Sequence, residues 1–515
     1  MSSTFRQRFL SRKALTSTTA LLVYLSLIDF VGHMLVGGDY GYFRDELYYL
    51  VSGQHLQLGY VDFPPMIAYL GAIMYVLADD SLFAIHIIPA VVGSCLVFLS
   101  GIIAREIGGG RKAQVLSATA TLGALVFLAT TSIFSMDILD ALWWSLCAYI
   151  LIRIIRRNQP KLWLAFGLVA GLGLMTKLTI TFFLFALIIG LLATPARSHL
   201  KSKWLWLGVL IASLFILPYI FWNAVNGWPT VQFYFDYGGL TGGGPIGFLV
   251  YQLLVINPVN IPLFVAGLIF YLRNPAGKPY RVLGLAYVVL YVLFTVINAK
   301  SYFLAPAYPM LFAGGALFFE RSLERRRWLQ PAYIATIAVV ALLFVPALMP
   351  VFPPQTFVKT YSSLSPLLNG GAGQANDGPF PQYLGDRFGW NTMTATIASA
   401  YYSLPAQERS QACIFTENYG EASALILLGK NYSLPPVISG HNNFYIWGPG
   451  SCKGQVVLTV GLSLSDDQKT FYNVSQVALV TCNYCMNGEN NLPVYLCTNP
   501  KVTGSIVWTD VKHFN

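Results

Sequence analysis

Residues 162–193 read LWLAFGLVAGLGLMTKLTITFFLFALIIGLLA, and the whole run carries one charge, Lys177. A helix pair this apolar has no polar face to turn toward water, so it is either buried or in a bilayer. A span needs roughly 20 mostly apolar residues. The run divides into two short spans, Leu162–Met175 and Leu178–Ala193, meeting at a Thr176-Lys177 corner. Outward from it, the same texture recurs at Ala14–Val36, Phe83–Ala104, Ala113–Ile133, Ile138–Ile155, Trp204–Trp222, Val259–Leu272, Val282–Ile297, Tyr302–Phe319 and Pro331–Met349. About eleven transmembrane helices are therefore expected. Ile246–Asn257 reads as an additional interfacial helix. The 515 residues are 55 % hydrophobic and 10 % charged, against about 25 % charged in an ordinary soluble domain. Mean hydropathy is +0.58. A soluble cytosolic enzyme, a disordered chain and a small disulfide scaffold are excluded.

The basic residues fix the expected topology. Before residue 350, 21 Lys and Arg fall in the N-terminus and in alternate loops on one side; only Arg44, Lys177 and Lys300 fall on the other. The positive-inside rule puts the N-terminus in the cytoplasm and the chain after residue 350 outside. The expectation is a multi-pass plasma (inner) membrane protein with residues 1–350 in the membrane part. Residues 351–515 form an extracytoplasmic α/β domain with strand-like runs at Gln455–Val460 and Val474–Thr481. The net charge of +10 is topological, so nucleic acid is rejected as a partner. The first apolar segment is too long, and too closely followed by others, to be a cleaved signal peptide.

Charge is scarce, so its outer-face positions are informative. Gly41-Tyr-Phe-Arg-Asp-Glu-Leu-Tyr-Tyr-Leu50 and Gly59-Tyr-Val-Asp-Phe-Pro-Pro65 set Asp45 and Glu46 among aromatics. Asp137 and Asp140, three residues apart, share a helix face at the mouth of the fourth span. Lys177 and Lys300 are the only lysines in these loops. A carboxylate can take a proton from an acceptor hydroxyl. Lys and Arg can hold a phosphate and stabilise its charge as it leaves. A hydrophobic groove at the membrane face can hold a lipid tail. The combination suits transfer from a lipid phosphate to an acceptor outside the cytoplasm. The plainer reading is solvated loop carboxylates with Arg44 as counter-ion.

At these residues the sequence resembles the polytopic glycosyltransferases of GT-C fold, specifically bacterial glycosyltransferase family 39, relatives of protein O-mannosyltransferases and aminoarabinose transferases. The resemblance rests on Asp45-Glu46, Tyr48-Tyr49, Gly59–Pro65, Gly101–Arg111, the Asp137/Asp140 corner, Gly171–Lys177 and Tyr302–Pro309, with Thr416–Ala422 and Leu434–Asn442 in the tail. It implies a polyprenyl-phosphate sugar donor, an extracytoplasmic acceptor (protein, lipid or envelope glycan) and an inverting displacement. Asp45 would be the catalytic base with Glu46 beside it, and Asp140 or Asp137 would shape the site. Lys177, Lys300, Arg44 and Tyr302 would hold the donor phosphate. Tyr48, Asp62 and His55 would contact substrate. One departure stands out: aminoarabinose transferases carry Lys before the double proline, where this chain has Phe63 preceded by Asp62. That moves the phosphate role to the other cations.

Other residues read more plainly. Asp29 and His33 sit four apart in the first span and pair structurally; His86 is a satisfied group at a helix start. Trp143, Trp144, Trp204, Trp206 and Trp222 read as interface anchors. Tyr234–Tyr237 and Gly238–Gly244 suggest a mobile outer loop. His441 and Tyr419-Gly-Glu421 are candidate acceptor contacts. Five tail cysteines suit up to two disulfides, with Cys482-Asn-Tyr-Cys485 favoured as a disulfide over zinc. No cofactor and no metal is expected, although the four carboxylates could hold a divalent cation. The alternative reading is a secondary transporter or lipid flippase. Such proteins place charge near the bilayer midplane, often within repeats. Here the charges gather at one face and no repeat shows.

Overall fold

A computed structural model describes residues 15–79, 81–236, 244–326, 328–365, 378–501 and 505–515. Arg6, Arg8, Arg12, Lys13, Arg327, Tyr237 and the Gly238–Gly243 part of the outer loop lie outside the described residues. The helices of the membrane part are α1 (Thr18–Val36), α2 (Arg44–Gln54), α3 (Met66–Ala78), α4 (Ile87–Glu106), α5 (Arg111–Leu122), α6 (Leu125–Thr130), α7 (Met136–Arg157) and α8 (Leu162–Thr176). They continue with α9 (Thr179–Leu192), α10 (Lys203–Val225), α11 (Gly244–Val255), α12 (Ile261–Leu272), α13 (Arg281–Val296), α14 (Tyr308–Ser322) and α15 (Leu329–Leu348). Among the described residues seven helices are long and apolar enough to cross a membrane, or up to nine if two bent pairs each count as one span. This is a multi-pass membrane protein. Each of the eleven expected segments is helical, but not each is one long helix. Leu162–Thr176 has only 15 residues, and Ala113–Ile133 is broken.

The break falls at Gly123, between α5 and α6. A side chain there would meet Ile337 of α15 at 2.8 Å, so only glycine lets the helices close. Breaking a span frees backbone carbonyls that lipid cannot hydrogen-bond. Asn257 Nδ2 donates to the Gly123 carbonyl at 3.0 Å, and Asn260 Nδ2 to Ala120 at 3.1 Å. Both asparagines are fully buried at the 98° bend between α11 and α12. Glycine also sets the tightest crossings. On α8 against α10, a Cβ at Gly167 would lie 2.1 Å from the Gly208 carbonyl. On α12 against α14, a Cβ at Gly315 would lie 1.9 Å from the Leu263 carbonyl. Small residues are what allow such backbone approach in a membrane.

The helix ends sort by charge. Ser135 caps α7 at its acidic end, and Arg156 and Arg157 close the other, favourable to the helix dipole. The Arg157 fork holds Glu106 at 2.8 and 3.0 Å. Glu320 accepts from the backbone of Gly110, Lys112 and Ala113 at the start of α5. These ties gather the basic ends of α4, α5, α7 and α14 on one face. Trp144 is stacked on Phe183 at 4.4 Å, and Trp222 is buried beside Tyr219. Both therefore pack the protein interior rather than anchoring an interface, whereas Trp206 is 61 % exposed.

The opposite face carries α2, α3 and the tail. The loop after α1 holds these two helices as a hairpin. At 13 residues α3 is about 20 Å long, too short to span. Gly53 and Gly71 let the pair touch, since a Cβ at Gly53 would lie 2.5 Å from Ala72 N. In the tail, helix α16 (Trp390–Tyr402) precedes strand β1 (Ala412–Thr416), helix α17 (Tyr419–Leu428), and strands β2 (Val437–Ser439), β3 (Val456–Val460), β4 (Phe471–Val480) and β5 (Leu492–Pro500). The sheet order is β2-β1-β3-β5-β4, with β1 parallel to β2 and β3, and the other pairs antiparallel. Cys413 and Cys452 form a disulfide. Cys482, Cys485 and Cys497 are free thiols, so one bridge forms where up to two were expected.

Candidate active site

The first turn of α2 carries Arg44, Asp45 and Glu46, and the three side chains part ways. Glu46 is completely buried. Its Oε2 accepts from Phe43 N at 2.8 Å, and its Oε1 from Phe134 N at 2.7 Å and His86 Nε2 at 2.7 Å. His86 also bonds the Gly37 carbonyl. Burial alone would raise the Glu46 carboxyl, but His86, the Arg387 charge and the Phe134 N–H outweigh it and the carboxyl stays low. Oε2 caps the start of α2, and Oε1 ties it to the corner before α7 and to His86. Glu46, expected beside the base, sits here as a buried brace.

Arg44, expected to hold the donor phosphate, is paired with the tail. Its Nη2 donates to Asp386 Oδ1 and Glu489 Oε1, both at 2.9 Å, and both carboxylates belong to the tail. Through this one nitrogen the arginine ties α2 to the tail. The tail also grips the corner before α7 and the loop on either side of α2. Arg387, fully buried, donates to the Ser132 carbonyl at 2.7 Å, and Trp390 Nε1 to the Tyr42 carbonyl at 3.1 Å. Val61 N donates to Asn443 Oδ1 at 2.6 Å.

Asp45 points differently and keeps partial exposure. Among the described residues Tyr419, from α17, is the side chain that hydrogen-bonds it, Oη to Oδ1 at 2.7 Å. Burial pushes the Asp45 carboxyl above its ordinary range, while the Tyr419 bond and the Arg44 and Lys300 charges pull against that. A carboxyl raised toward neutral pH is a better general base than an ordinary one. Tyr48 lies stacked on Tyr419 at 4.6 Å, donates to Asp62 Oδ1 at 3.2 Å and accepts from Asn443 N at 3.1 Å. Burial, with the negative charge of Asp45 nearby, pushes Asp62 up to about 7. The charges of Asp45, Asp62 and Asp137 all reach the Tyr49 hydroxyl and, with its burial, hold it well above the ordinary value.

A narrow cleft beside this cluster is lined by Asp137, Asp140, Lys177, Tyr302, Phe303 and Phe127. Lys177 pairs with Asp137 and lies 5.3 Å from the Tyr302 ring and 4.6 Å from that of Phe303. Asp140 Oδ2 accepts from Thr179 Oγ1 at 2.6 Å. Thus Asp137, Asp140, Lys177 and Tyr302 share one cleft, with Asp45, Asp62 and Tyr48 across Tyr49 and the Lys300 charge felt at Asp45. His55 lies apart, exposed and stacked on Trp447 at 4.5 Å. Asp29 and His33 pair within α1 at 3.5 Å, and His33 also reaches the Leu128 carbonyl. His441 accepts from Tyr419 N at 3.3 Å and so supports that residue. Among the described residues no group of three or more His, Cys, Asp or Glu is placed to hold a metal. Sequence reading missed the roles of Asp386 and Glu489; two acidic residues in a tail give no sign of a partner in residue 44.

Helices α1 to α15 with a small mixed-sheet tail form a GT-C fold. The particulars follow from comparison. ArnT from Cupriavidus metallidurans, solved in the apo state and bound to undecaprenyl phosphate, superposes with a TM-score of 0.60. The match covers 92 % of this chain and 97 % of that one at 15 % identity. A sequence profile for dolichyl-phosphate-mannose-protein mannosyltransferase matches residues 62–222. A lipid A galacturonosyltransferase, RgtD of Rhizobium johnstonii, is 28 % identical over 197 residues. That stretch is 37 % of this chain and 40 % of the relative's length.

Proposed function

We propose that this protein is an integral-membrane glycosyltransferase that moves a sugar from a polyprenyl-phosphate-linked donor to an extracytoplasmic protein, lipid or glycan hydroxyl. Asp45 takes the acceptor proton. The acceptor oxygen bonds the anomeric carbon as the bond from that carbon to the phosphate oxygen breaks, inverting the centre. Polyprenyl phosphate leaves, its charge held by Lys177, Lys300 and Tyr302. Asp137 and Asp140 hold the Lys177 side of the cleft. Tyr48 and Asp62 contact the sugar or acceptor. The tail and α2 face outward, following the charge distribution of the loops. Residues 351–515 act as the acceptor-side domain.

The observation that carries this reading is the convergence, on one end of an ArnT-like fold, of a raised carboxyl at Asp45 with the Lys177 and Tyr302 cleft. A further feature supports the lipid donor. An entirely apolar groove runs along Phe185, Val288, Val292 and Val296. It borders α9, which begins just after Lys177, and α13, which ends just before Lys300. A prenyl chain along that groove would deliver its phosphate end toward the two lysines. The names of the relatives agree: one is a lipid A glycosyltransferase, and the structural match was solved with undecaprenyl phosphate. The test is transfer from a panel of radiolabelled polyprenyl-phosphate sugars to envelope fractions. Wild type should use at least one donor, and Asp45→Asn should bind that donor without transferring. Normal transfer by Asp45→Asn would overturn the assignment of the base.

A further inference from the structure

We propose that Tyr419 completes the catalytic carboxylate from the tail, as a positioning residue that holds Oδ1 of Asp45 and leaves Oδ2 to meet the acceptor hydroxyl. The inference rests on Asp45 being the base and adds a residue from a separate part of the chain.

The first turn of α17 is built around α2, residue by residue. Asn418 caps it, accepting from Gly420 N at 2.9 Å and Glu421 N at 3.0 Å. The Asn418 amide donates to Glu489 Oε1 at 3.2 Å, the same oxygen that holds Arg44. Gly420 has no side chain where one would meet Arg44 Cγ at 2.6 Å, so the arginine passes directly over the helix start. Glu421 accepts from Glu417 N at 3.0 Å and Asn418 N at 3.3 Å, which fixes the chain entering the turn. The Tyr419 ring is stacked on Tyr48 at 4.6 Å and lies tilted against His441 at 4.9 Å. Held by these two rings, it donates its hydroxyl to Asp45 Oδ1 at 2.7 Å. A carboxylate swings between rotamers unless one oxygen is held, and a fixed carboxylate loses little freedom when the acceptor binds. The Asn-Tyr-Gly-Glu run singled out in the tail sequence thus has one purpose at each position, and the membrane helices alone hold an unfinished site.

Two measurements on the full-length protein in lipid test this. In the first, the donor identified by the panel is used to compare Tyr419→Phe with wild type and Asp45→Asn. Tyr419→Phe keeps the ring stack and loses only the hydroxyl. We expect its kcat to fall about tenfold or more. Donor KM should stay within twofold, and the acid limb of kcat/KM should move to higher pH. In the second, carbodiimide labelling of Asp45 against pH is read by peptide mass spectrometry, which needs no substrate. The labelling midpoint should rise by about one pH unit in Tyr419→Phe, because a donor to the ionised form is gone. An unchanged kcat, acid limb and labelling midpoint would overturn the role of Tyr419. If Asp45→Asn is inactive while Tyr419→Phe matches wild type, only this inference fails. If Asp45→Asn transfers normally, the assignment of the base fails, and the labelling midpoint still decides whether Tyr419 governs Asp45.

Discussion

Replacing Arg44 with methionine would keep the side-chain stem and remove the guanidinium. Two carboxylates would then face each other unpaired, Asp386 with 1 % of its side chain exposed and Glu489 with 6 %. Removing one partner from a buried ion pair costs ~3–5 kcal/mol. Arg44 itself is 23 % exposed, which admits some screening and places the expected cost near the lower end, ~3 kcal/mol. That is about a 100-fold shift in the equilibrium holding the tail against α2. Hydrogen exchange of the backbone around residues 384–390 and 487–491, in lipid nanodiscs, should speed up accordingly. The loss should shrink in acid. Burial, with Asp386 nearby, already holds the Glu489 carboxyl up at about 7 against the pull of Arg44, and without Arg44 both acids take up protons more readily. Arg44→Met combined with Asp386→Asn and Glu489→Gln should recover most of the protection. Donor affinity should stay within twofold throughout. A loss under ~1 kcal/mol, typical of an exposed pair, or a triple variant no better than the single one, would refute the clamp. A tenfold weaker donor affinity with unchanged exchange would return Arg44 to the phosphate.

Glu46→Gln should lose ~2–4 kcal/mol of thermal stability, because the new amide turns an N–H toward a backbone N–H and no longer satisfies three donors; unchanged melting would show Glu46 to be free for chemistry. Gly315→Ala should lower melting by the equivalent of ~2–3 kcal/mol, with Gly32→Ala as a neutral control, since a side chain there meets nothing within 4 Å. Asp62 is raised to about 7 by burial, so the unfolded chain gives up this proton first as pH rises from about 4. Stability should therefore fall between about pH 4 and pH 7; Asp62→Asn should flatten that part of the melting profile and be the more stable protein at pH 8.

Charge scarcity made much of the site legible. In a chain with 10 % charged residues, Asp45, Asp137, Asp140, Lys177 and Lys300 stood out beside apolar runs; Asp137, Asp140 and Lys177 line one cleft, the charges of Asp45 and Asp137 both reach Tyr49, and that of Lys300 is felt at Asp45. Hydropathy located the helices but not their interruptions. Nothing in the apolar count of Ala113–Ile133 distinguishes a break at Gly123 from a straight helix, because the reason for the break, Ile337 and two asparagines, lies elsewhere in the chain. The same distance hid the fates of Arg44 and Glu46. Arg44 finds its partners 342 and 445 residues away. Neighbouring residues on a helix point about 100° apart, so the acidic pair was bound to split, one side chain inward and one toward Tyr419. Which did which is set by Phe134 and His86, not by the pair itself.

The asparagine caps on the broken span also set an order of events at the ribosome. The Gly123 carbonyl waits for an amide 134 residues downstream. At about 5–20 residues per second, that interval is on the order of ten seconds. During it, the segment around Gly123 enters the bilayer with no partner for its opened backbone, and an unbroken helix is its best available state. The interruption is then made late, when Asn257 and Asn260 arrive and draw the carbonyls of Gly123 and Ala120 aside. On this order the translocon first receives a conventional span, and the finished protein acquires its short helix α6 only once about half of the chain has been made.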